Sequence, residues 1–160
     1  MAKQQAEIFM PPNILKAKMG GSGRGVDTAA LRRAQAAMDA LKDEFADWIA
    51  KDVAELVAAR DTYAKDGDTE SRDTLYLRSQ DLKGQAKTFE FPLVARIAAS
   101  LCKLLDGNNA ALTVALVDAH VNAIRVIVKQ NIKTEDDKTA NTLAMELEAR
   151  VDNALEKANA

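Results

Sequence analysis

The sequence predicts an all-α protein, an antiparallel bundle of amphipathic helices. Apolar residues recur at alternating steps of three and four along much of the chain, which places them on one face of a helix. The composition also favours helix, because alanine, leucine and charged residues dominate and aromatic residues make up only 4%. The segments between the helical stretches are short, so consecutive helices are expected to pack antiparallel. No segment requires a strand.

Composition limits the classes of function. A chain of 160 residues is long enough for one hydrophobic core, and its formal net charge of −2 favours neither nucleic acid nor an anionic membrane as a partner. The one cysteine, Cys102, excludes an internal disulfide, suits a reducing compartment and is expected to pack in the core. No stretch has the length of a signal-peptide core or a membrane span. We therefore expect a cytoplasmic protein.

Residues 1–26 are predicted to form an irregular tail, followed by one helical domain over residues 27–160. Two prolines interrupt regular structure in the tail, and the sequence GGSGRG (Gly20 to Gly25) has the composition of a flexible linker. These glycines do not match a phosphate-binding loop, because no strand precedes them and no Gly-Lys-Ser/Thr follows. Neither a cofactor nor a metal ion is expected.

The first two helices are separated by the sequence KDGDTE. The first is capped by Asp27 or Thr28 and extends to about Lys65; the second runs from about Thr69 to Thr88. The apolar stripe of the first helix comprises Leu31, Ala34, Met38, Leu41, Phe45 and Trp48 and continues through Ile49, Val53, Leu56 and Val57. The inward residues of the second are Leu75, Leu82, Ala86 and Phe89.

Three further helices follow. Pro92 suits the first position of the third helix, where its missing N–H has no cost, and the sequence DGNN ends that helix. Asn108 or Asn109 is expected to cap the fourth, which extends through Asn131, and Thr134 to cap the fifth, whose first turn is acidic. The predicted inward residues are Leu93, Ile97, Leu101, Leu104 and Leu105 in the third helix, Leu112, Leu116, Val117, Val121, Ile124, Ile127 and Val128 in the fourth, and Leu143, Leu147, Val151 and Leu155 in the fifth.

Gln80, Lys83, Gly84 and Lys87 share one stripe of the second helix, opposite its inward residues. A phosphohistidine module presents an exposed imidazole on such a stripe, with a lysine to stabilise phosphoryl oxygens and a small residue that admits a partner. Glycine inside a helix costs about 0.5–1 kcal/mol relative to alanine, so Gly84 requires an explanation, and close approach of another surface is one. The alternative is an ordinary solvated helix face with a tolerated glycine.

The sequence resembles histidine phosphotransfer (HPt) domain proteins of two-component phosphorelays, in particular a small stand-alone type found in alphaproteobacteria. The resemblance rests on the stretches PPNILKAKMGG, DLKGQA, FPLVARIAASLCKLL and DAHVNAIRVIVKQNIK, which together span most of residues 8–133. It implies a four-helix bundle with an additional C-terminal helix. It also implies a role in signal transduction, with a response-regulator receiver or a histidine kinase as the partner.

The HPt motif is a histidine, two residues, then Lys-Gly. The resemblance therefore puts the phosphoacceptor position at Gln80, the phosphate-stabilising lysine at Lys83 and the docking glycine at Gly84; Lys87 stands where the family has a small residue and Glu90 where it has glycine. The lone pair of a carboxamide nitrogen is delocalised, so Gln80 cannot accept phosphate, although it keeps its hydrogen-bonding capacity. The expected protein is not an enzyme but a degenerate HPt module that docks to a receiver or kinase through Gln80, Lys83, Gly84 and Lys87.

Two alternatives remain open. His120 is the single histidine, and active phosphotransfer through it is the first alternative. Arg125 does not share its helical face and no Lys-Gly pair is near, so a structural or surface role is expected for this histidine. The second alternative is a structural or oligomerising helical protein whose docking face is idle. The bulky Lys87 and the acidic Glu90 favour this second alternative.

Overall fold

The computed structural model describes residues 27–107 and 109–160, and every regular element in these two ranges is helical. The elements are α1 (Thr28–Asp66), α2 (Thr69–Gln85), α3 (Pro92–Asp106), a 3₁₀ turn (Asn109–Ala111), α4 (Val114–Lys129) and α5 (Lys138–Asn159). The predicted all-α class is confirmed. The predicted tail, residues 1–26, lies outside the described residues. Among the described helices, none combines the length and the apolar character needed to cross a membrane.

The chain divides into two compact units, Met1–Met38 and Asp39–Ala160. In the described part of the first unit, Asp27 Oδ1 accepts a hydrogen bond from the Ala29 amide at 3.0 Å. This bond satisfies one of the free N–H groups at the start of α1, as the predicted cap requires. Helix α1 ends at Asp66, within one residue of the expected end.

The second unit has one hydrophobic core. All inward residues predicted for α2, for the turn after it and for α3 are buried. In α4 and α5 most predicted inward residues are buried, whereas Leu143 is exposed, which corrects the prediction. Leu143 lies at the edge of the groove between α4 and α5, and no other described helix covers that edge.

Helix α1 buries only part of the apolar stripe that its sequence predicts. Ile49, Val53 and Leu56 lie in the core of the second unit, whereas Leu41 and Trp48 are about half exposed. The spacing predicts which residues share a face of α1, but not how far along the helix other elements cover that face.

The fourth helix starts later than predicted. It begins at Val114 and is capped by the Thr113 side chain, which accepts a hydrogen bond from the Leu116 amide at 3.3 Å; Asn108 or Asn109 was expected at this position. The segment before it forms a 3₁₀ turn that buries Ala111. The Thr113 hydroxyl is the acceptor that caps the first turn of α4, and Asn108 lies outside the described residues.

The other helix ends also differ from the predictions. Helix α5 begins at Lys138, because the carboxylate of Asp137 rather than the hydroxyl of Thr134 accepts the hydrogen bond from the Ala140 amide (2.9 Å). A carboxylate also interacts favourably with the helix dipole, which a hydroxyl does not. The regular part of α2 ends at Gln85 rather than at Thr88, and α4 ends at Lys129 rather than at Asn131.

Three arginines tie the helices of the second unit together. Arg96 on α3 donates to both carboxylate oxygens of Glu148 on α5, at 3.0 and 2.8 Å. Arg60 on α1 donates to Asp118 on α4 at 2.9 Å. Arg72 on α2 donates to carbonyl oxygens at the end of α3 and just after it, which satisfies acceptors that have no partner within that helix. These bonds set the relative positions of the helices around the core.

Candidate functional site

The rotation of α2 about its own axis is fixed at both ends of the helix. Asp68 caps the start, where its carboxylate accepts from the Ser71 amide at 2.8 Å. Further along, Leu75 and Leu82 are fully buried, and the buried Ser79 hydroxyl donates to the Leu75 carbonyl at 2.8 Å. Because this side of α2 is held in the core, the opposite side faces away from it.

The predicted site residues lie along that opposite side. Gly84 and Lys87 are exposed, and Gln80 and Lys83 are partly buried at the edges of the face. We call the surface formed by Gln80, Lys83, Gly84 and Lys87 the α2 face. It carries a carboxamide and two ammonium groups, and at Gly84 the helix backbone is exposed because no side chain covers it.

Gln80 does not present a free carboxamide. Its Nε2 donates a hydrogen bond to the hydroxyl oxygen of Tyr76 at 2.6 Å. Tyr76 lies one helical turn earlier, so the pair is an i, i+4 contact on the surface of α2. Tyr76 was not predicted as part of the site, although its distance of four residues from Gln80 allows a side-chain contact on a helix. The bond fixes the orientation of the Gln80 amide.

Leu77 is a second residue that the sequence analysis missed. It is 62% exposed, the largest exposed fraction among the exposed large apolar side chains of the described ranges. It precedes Gln80 by three residues and Gly84 by seven, so it lies beside the α2 face. The sequence does contain a signal for it, because Leu77 is an apolar residue that does not lie on the inward side of the helix with Leu75 and Leu82. An exposed leucine beside an exposed glycine gives the face an apolar element.

The fold itself gives no reason for a glycine at position 84. A Cβ atom placed on Gly84 would meet no other atom within 4 Å, and its backbone is ordinary helix. Packing within the described chain therefore does not exclude a larger side chain here. Glycine costs helix stability relative to alanine, so the open space at Gly84 fits close approach of another surface, and it also fits a tolerated glycine on a solvated face.

Lys83 on α2 is near enough to the single cysteine, Cys102 on α3, for its positive charge to act on the thiol. Burial raises the pKa of the Cys102 thiol to about 11, and the positive charge of Lys83 opposes part of this rise. A thiol with so high a pKa is protonated at neutral pH and is a poor nucleophile. Cys102 is buried on α3, as its predicted packing role requires.

The chain after α2 closes with a Schellman motif, the hydrogen-bonded arrangement that ends many helices. The Phe91 amide bonds the Ala86 carbonyl at 2.8 Å, the Glu90 amide bonds the Lys87 carbonyl at 3.1 Å, and Glu90 has φ of 63°. This left-handed position favours glycine, because a Cβ atom there is crowded by the backbone. Glu90 therefore stands at a strained backbone position.

Lys133 braces this turn from the segment between α4 and α5. Its Nζ donates to the Phe89 carbonyl at 2.9 Å and lies 3.8 Å from the centre of the Phe91 ring. Burial lowers the pKa of Lys133, while the carboxylate of Glu90 raises it in part. The turn that ends the α2 face is thus held by a cation on its inner side.

An acidic cluster flanks the α2 face on the side of α1. The pKa of Asp52 is raised, first by burial and then by the charges of Glu55 and Asp81. Arg78 offsets some of this repulsion, since its guanidinium lies 3.0 Å from Glu55 and 3.7 Å from Asp81. The arginine ties α1 to α2, so this cluster has a structural role.

His120 is inside the core. Its Nδ1 lies 2.7 Å from the Leu116 carbonyl, which only accepts, so Nδ1 carries the proton. Nε2 is then the acceptor for the Ser100 hydroxyl at 3.0 Å. The side chain is fully buried, and burial lowers its pKa. Both ring nitrogens are engaged between α3 and α4, so a phosphoryl donor has no path to the imidazole unless the core opens.

Comparisons with protein-family models, with curated proteins and with solved structures find no match. Within residues 27–107 and 109–160, no group of three or more histidine, cysteine, aspartate or glutamate side chains is arranged to hold a metal ion. The α2 face presents an oriented amide, two lysines and an uncovered glycine, and the exposed Leu77 lies beside it.

Glu90→Gly is expected to stabilise the protein by about 1 kcal/mol, because glycine relieves the left-handed strain that costs other residues about 1–2 kcal/mol. Asn131 ends α4 in the same motif with φ of 54°. Because asparagine tolerates this region, Asn131→Gly should change stability by less than about 0.5 kcal/mol. Urea unfolding of both variants is the measurement. Equal effects at the two positions would show that Glu90 is not strained.

His120 should make stability depend on pH in a defined direction. Its folded-state pKa lies below the ordinary 6.5, so the unfolded chain takes up the proton first. The contribution of neutral His120 to the free energy of unfolding is therefore fully present above about pH 6.5. It falls as the pH drops below that value, with a slope of at most about 1.4 kcal/mol per pH unit. His120→Gln, whose amide can keep both hydrogen bonds, should lose this slope. Unfolding measured between about pH 7.5 and 5.5 tests this, and a slope unchanged in the variant would contradict it.

Proposed function

We propose that the protein is a degenerate HPt module that docks to a response-regulator receiver, or to a histidine kinase, without accepting phosphate. Helices α1 to α4 would form the antiparallel four-helix bundle of that family, and α5 the additional C-terminal helix. The contacts favour this arrangement, since α2 packs along α3, Ser100 of α3 bonds His120 of α4, and Arg60 of α1 bonds Asp118 of α4. Helix α5 packs on α3 as well, where its Ala144, Leu147 and Val151 are buried in the same core and its Glu148 bonds Arg96.

The single observation that carries the proposal is Gly84. It lies in the interior of a helix, exposed, with no neighbour that requires its small size. A residue that weakens its own helix and serves no packing purpose is accounted for by a partner that needs the space. Gln80 and Lys83 lie at the spacing that the family uses for its acceptor and its lysine.

The rest of the α2 face suits a receiver. The active site of a receiver is an acidic pocket around the phosphorylated aspartate, and Lys83 and Lys87 present complementary positive charge to it. Leu77 offers an apolar contact beside the glycine. The Gln80 amide, held by Tyr76, is a neutral group that can hydrogen-bond where the imidazole of an active module would react.

Phosphate transfer is not part of the proposed activity. Transfer requires a nitrogen with a free lone pair at the docked surface, and the Gln80 amide nitrogen has none. His120 has such a nitrogen, but it lies in the core with both ring positions hydrogen-bonded. The proposed module thus occupies a receiver or kinase as a competitor or scaffold.

Gly84→Trp tests the proposal, because an indole at this position would separate the two docked surfaces. We expect binding to weaken at least about tenfold, about 1.4 kcal/mol, in titrations against a panel of purified receiver domains. Helical content should not change, since the side chain at position 84 has open space around it. Glu156→Trp, at an exposed position of α5, is the matched control and should bind as the wild type does.

Equal affinities for the Gly84→Trp and Glu156→Trp variants would place the binding surface elsewhere. Absence of binding by the wild type to every receiver and kinase would favour the second candidate, a structural helical protein with an idle face. The exposed Lys87, at a position the family keeps small, is the observation that favours this candidate.

A further inference from the structure

Within the second unit, an apolar groove of about 480 Å³ lies between α1 and α4. Ala50 and Val53 line it from α1, and Val126 and Val128 line it from α4. Val53 is buried in the core, whereas Val126 is 46% exposed, so the apolar lining continues from the core to the surface. Ligand sites in proteins are cavities of this size with mostly apolar walls and a few polar groups. We call this cavity the α1–α4 groove.

The polar part of the lining is cationic. Arg125 and Lys129 lie one turn apart on α4, both exposed, and they complete the lining together with Asn122. The Arg125 guanidinium donates a hydrogen bond to Oδ1 of Asn122 at 3.4 Å. In the part of the chain that the structure describes, neither cation forms an ion pair. Two like charges at this spacing on a helix repel each other, and an anion between them would relieve that repulsion.

Arg125 differs in this respect from the other arginines of the second unit. Four of them pair with carboxylates: Arg60, Arg78, Arg96 and Arg150. Arg72 donates to a backbone carbonyl instead. A guanidinium carries five N–H donors in a planar fork that matches a carboxylate. Arg125 therefore brings to the groove a fork that the described chain does not pair with an anion.

The dimensions of the groove suit a small molecule. Its α4 wall covers residues 122–129, about 10 Å of helix, whereas its α1 wall covers only residues 50–53, about one turn. A partner helix in a groove is held by side chains spread over positions i to i+7, which is longer than the α1 wall. A flexible alkyl chain needs only one apolar channel and one place for its head group.

We propose that the α1–α4 groove binds an alkyl carboxylate of medium chain length. The alkyl chain lies against Val53, Val126 and Val128, and the carboxylate is held by Arg125 and Lys129. Burial of the chain supplies affinity, and the charged hydrogen bonds fix the head group. The net charge of −2 does not attract anions to this protein, so the two local cations have to select the head group.

This groove shares no residue with the α2 face, so its test is independent of receiver docking. Calorimetric titration at pH 7.5 should show one site for decanoate. Affinity should rise from hexanoate through octanoate to decanoate, by up to about fourfold for each added CH₂. Octyltrimethylammonium, whose tail is similar and whose head is positive, should bind at least tenfold more weakly than octanoate. Equal affinity for the two head groups, or no saturable binding of decanoate up to about 1 mM, would overturn the proposal.

Matched double variants test the role of the two cations. Arg125→Gln combined with Lys129→Gln keeps polar side chains but removes both charges, and should weaken decanoate binding at least tenfold. Arg150→Gln combined with Lys157→Gln removes the same charge from exposed positions of α5 and should leave binding unchanged. Equal weakening by both double variants would mean that net charge holds the ligand. That result, or no weakening by the first double variant, would overturn the proposal.

Methyl NMR spectra locate the alkyl chain. Decanoate should shift the methyl resonances of Val53, Val126 and Val128 and leave those of Leu143, in the neighbouring groove between α4 and α5, unchanged. Ala50→Phe fills the α1–α4 groove from an exposed position, so it should abolish binding and keep the helical content. Shifts concentrated at Leu143, or decanoate binding that is unchanged in Ala50→Phe, would overturn the proposal.

Discussion

The packing of α2 against α3 determines most of what the second unit can do. The buried side of α2, with Leu75, Ser79 and Leu82, is fixed against the core, and the Ser79 hydroxyl is satisfied within its own helix. A helix held along one side exposes the other, so Gln80, Gly84 and Lys87 are presented outward by the same contacts that stabilise the fold. The turn that follows buries Phe89 and Phe91 together and sets the end of the exposed face.

The same packing separates two properties that a phosphotransfer module combines. Docking needs a charged surface without large side chains in the way. On the α2 face, Lys83 supplies the charge and Gly84 leaves the space. Phosphate acceptance needs a nucleophilic nitrogen on that surface. In this chain the one imidazole lies in the core, where its hydrogen bond with Ser100 joins α3 to α4 and its bond to the Leu116 carbonyl stays within α4. Such a protein would compete for partners of the phosphorelay rather than pass on the phosphoryl group.

Much of the fold could be predicted, because helical periodicity and proline position are local properties of the sequence. The all-α class, the extents of α1 and α3 and the inward residues of α2 and α3 all follow from them. The starts of α4 and α5 could not, because several residues in each loop are able to cap a helix. The structure uses Thr113 as the cap of α4 and Asp137 as the cap of α5, and this choice depends on how each loop packs rather than on its own sequence.

The candidate face could be predicted only in part. Spacing identified Gln80, Lys83, Gly84 and Lys87, whereas the bond between Tyr76 and Gln80 depends on side-chain conformation. The exposure of Leu77 on α2, and of Leu41 and Trp48 on α1, depends on which neighbouring elements cover each helix. Neither is a property of the local sequence, since the pattern of apolar residues is the same whether a face is covered or open.

Phosphotransfer from a phosphorylated receiver that binds the protein would show whether the protein docks without accepting phosphate. Acid-labile phosphate on the protein would be measured for the wild type, for Gln80→His, and for Gln80→His combined with Lys87→Ala and Glu90→Gly. We expect no phosphate on the wild type, slow transfer to the single variant, and faster transfer to the combined variant, in which a long side chain and a strained residue are removed from the face. Phosphate on the wild type that disappears in His120→Gln would show that His120 is the acceptor and would refute the proposed docking module.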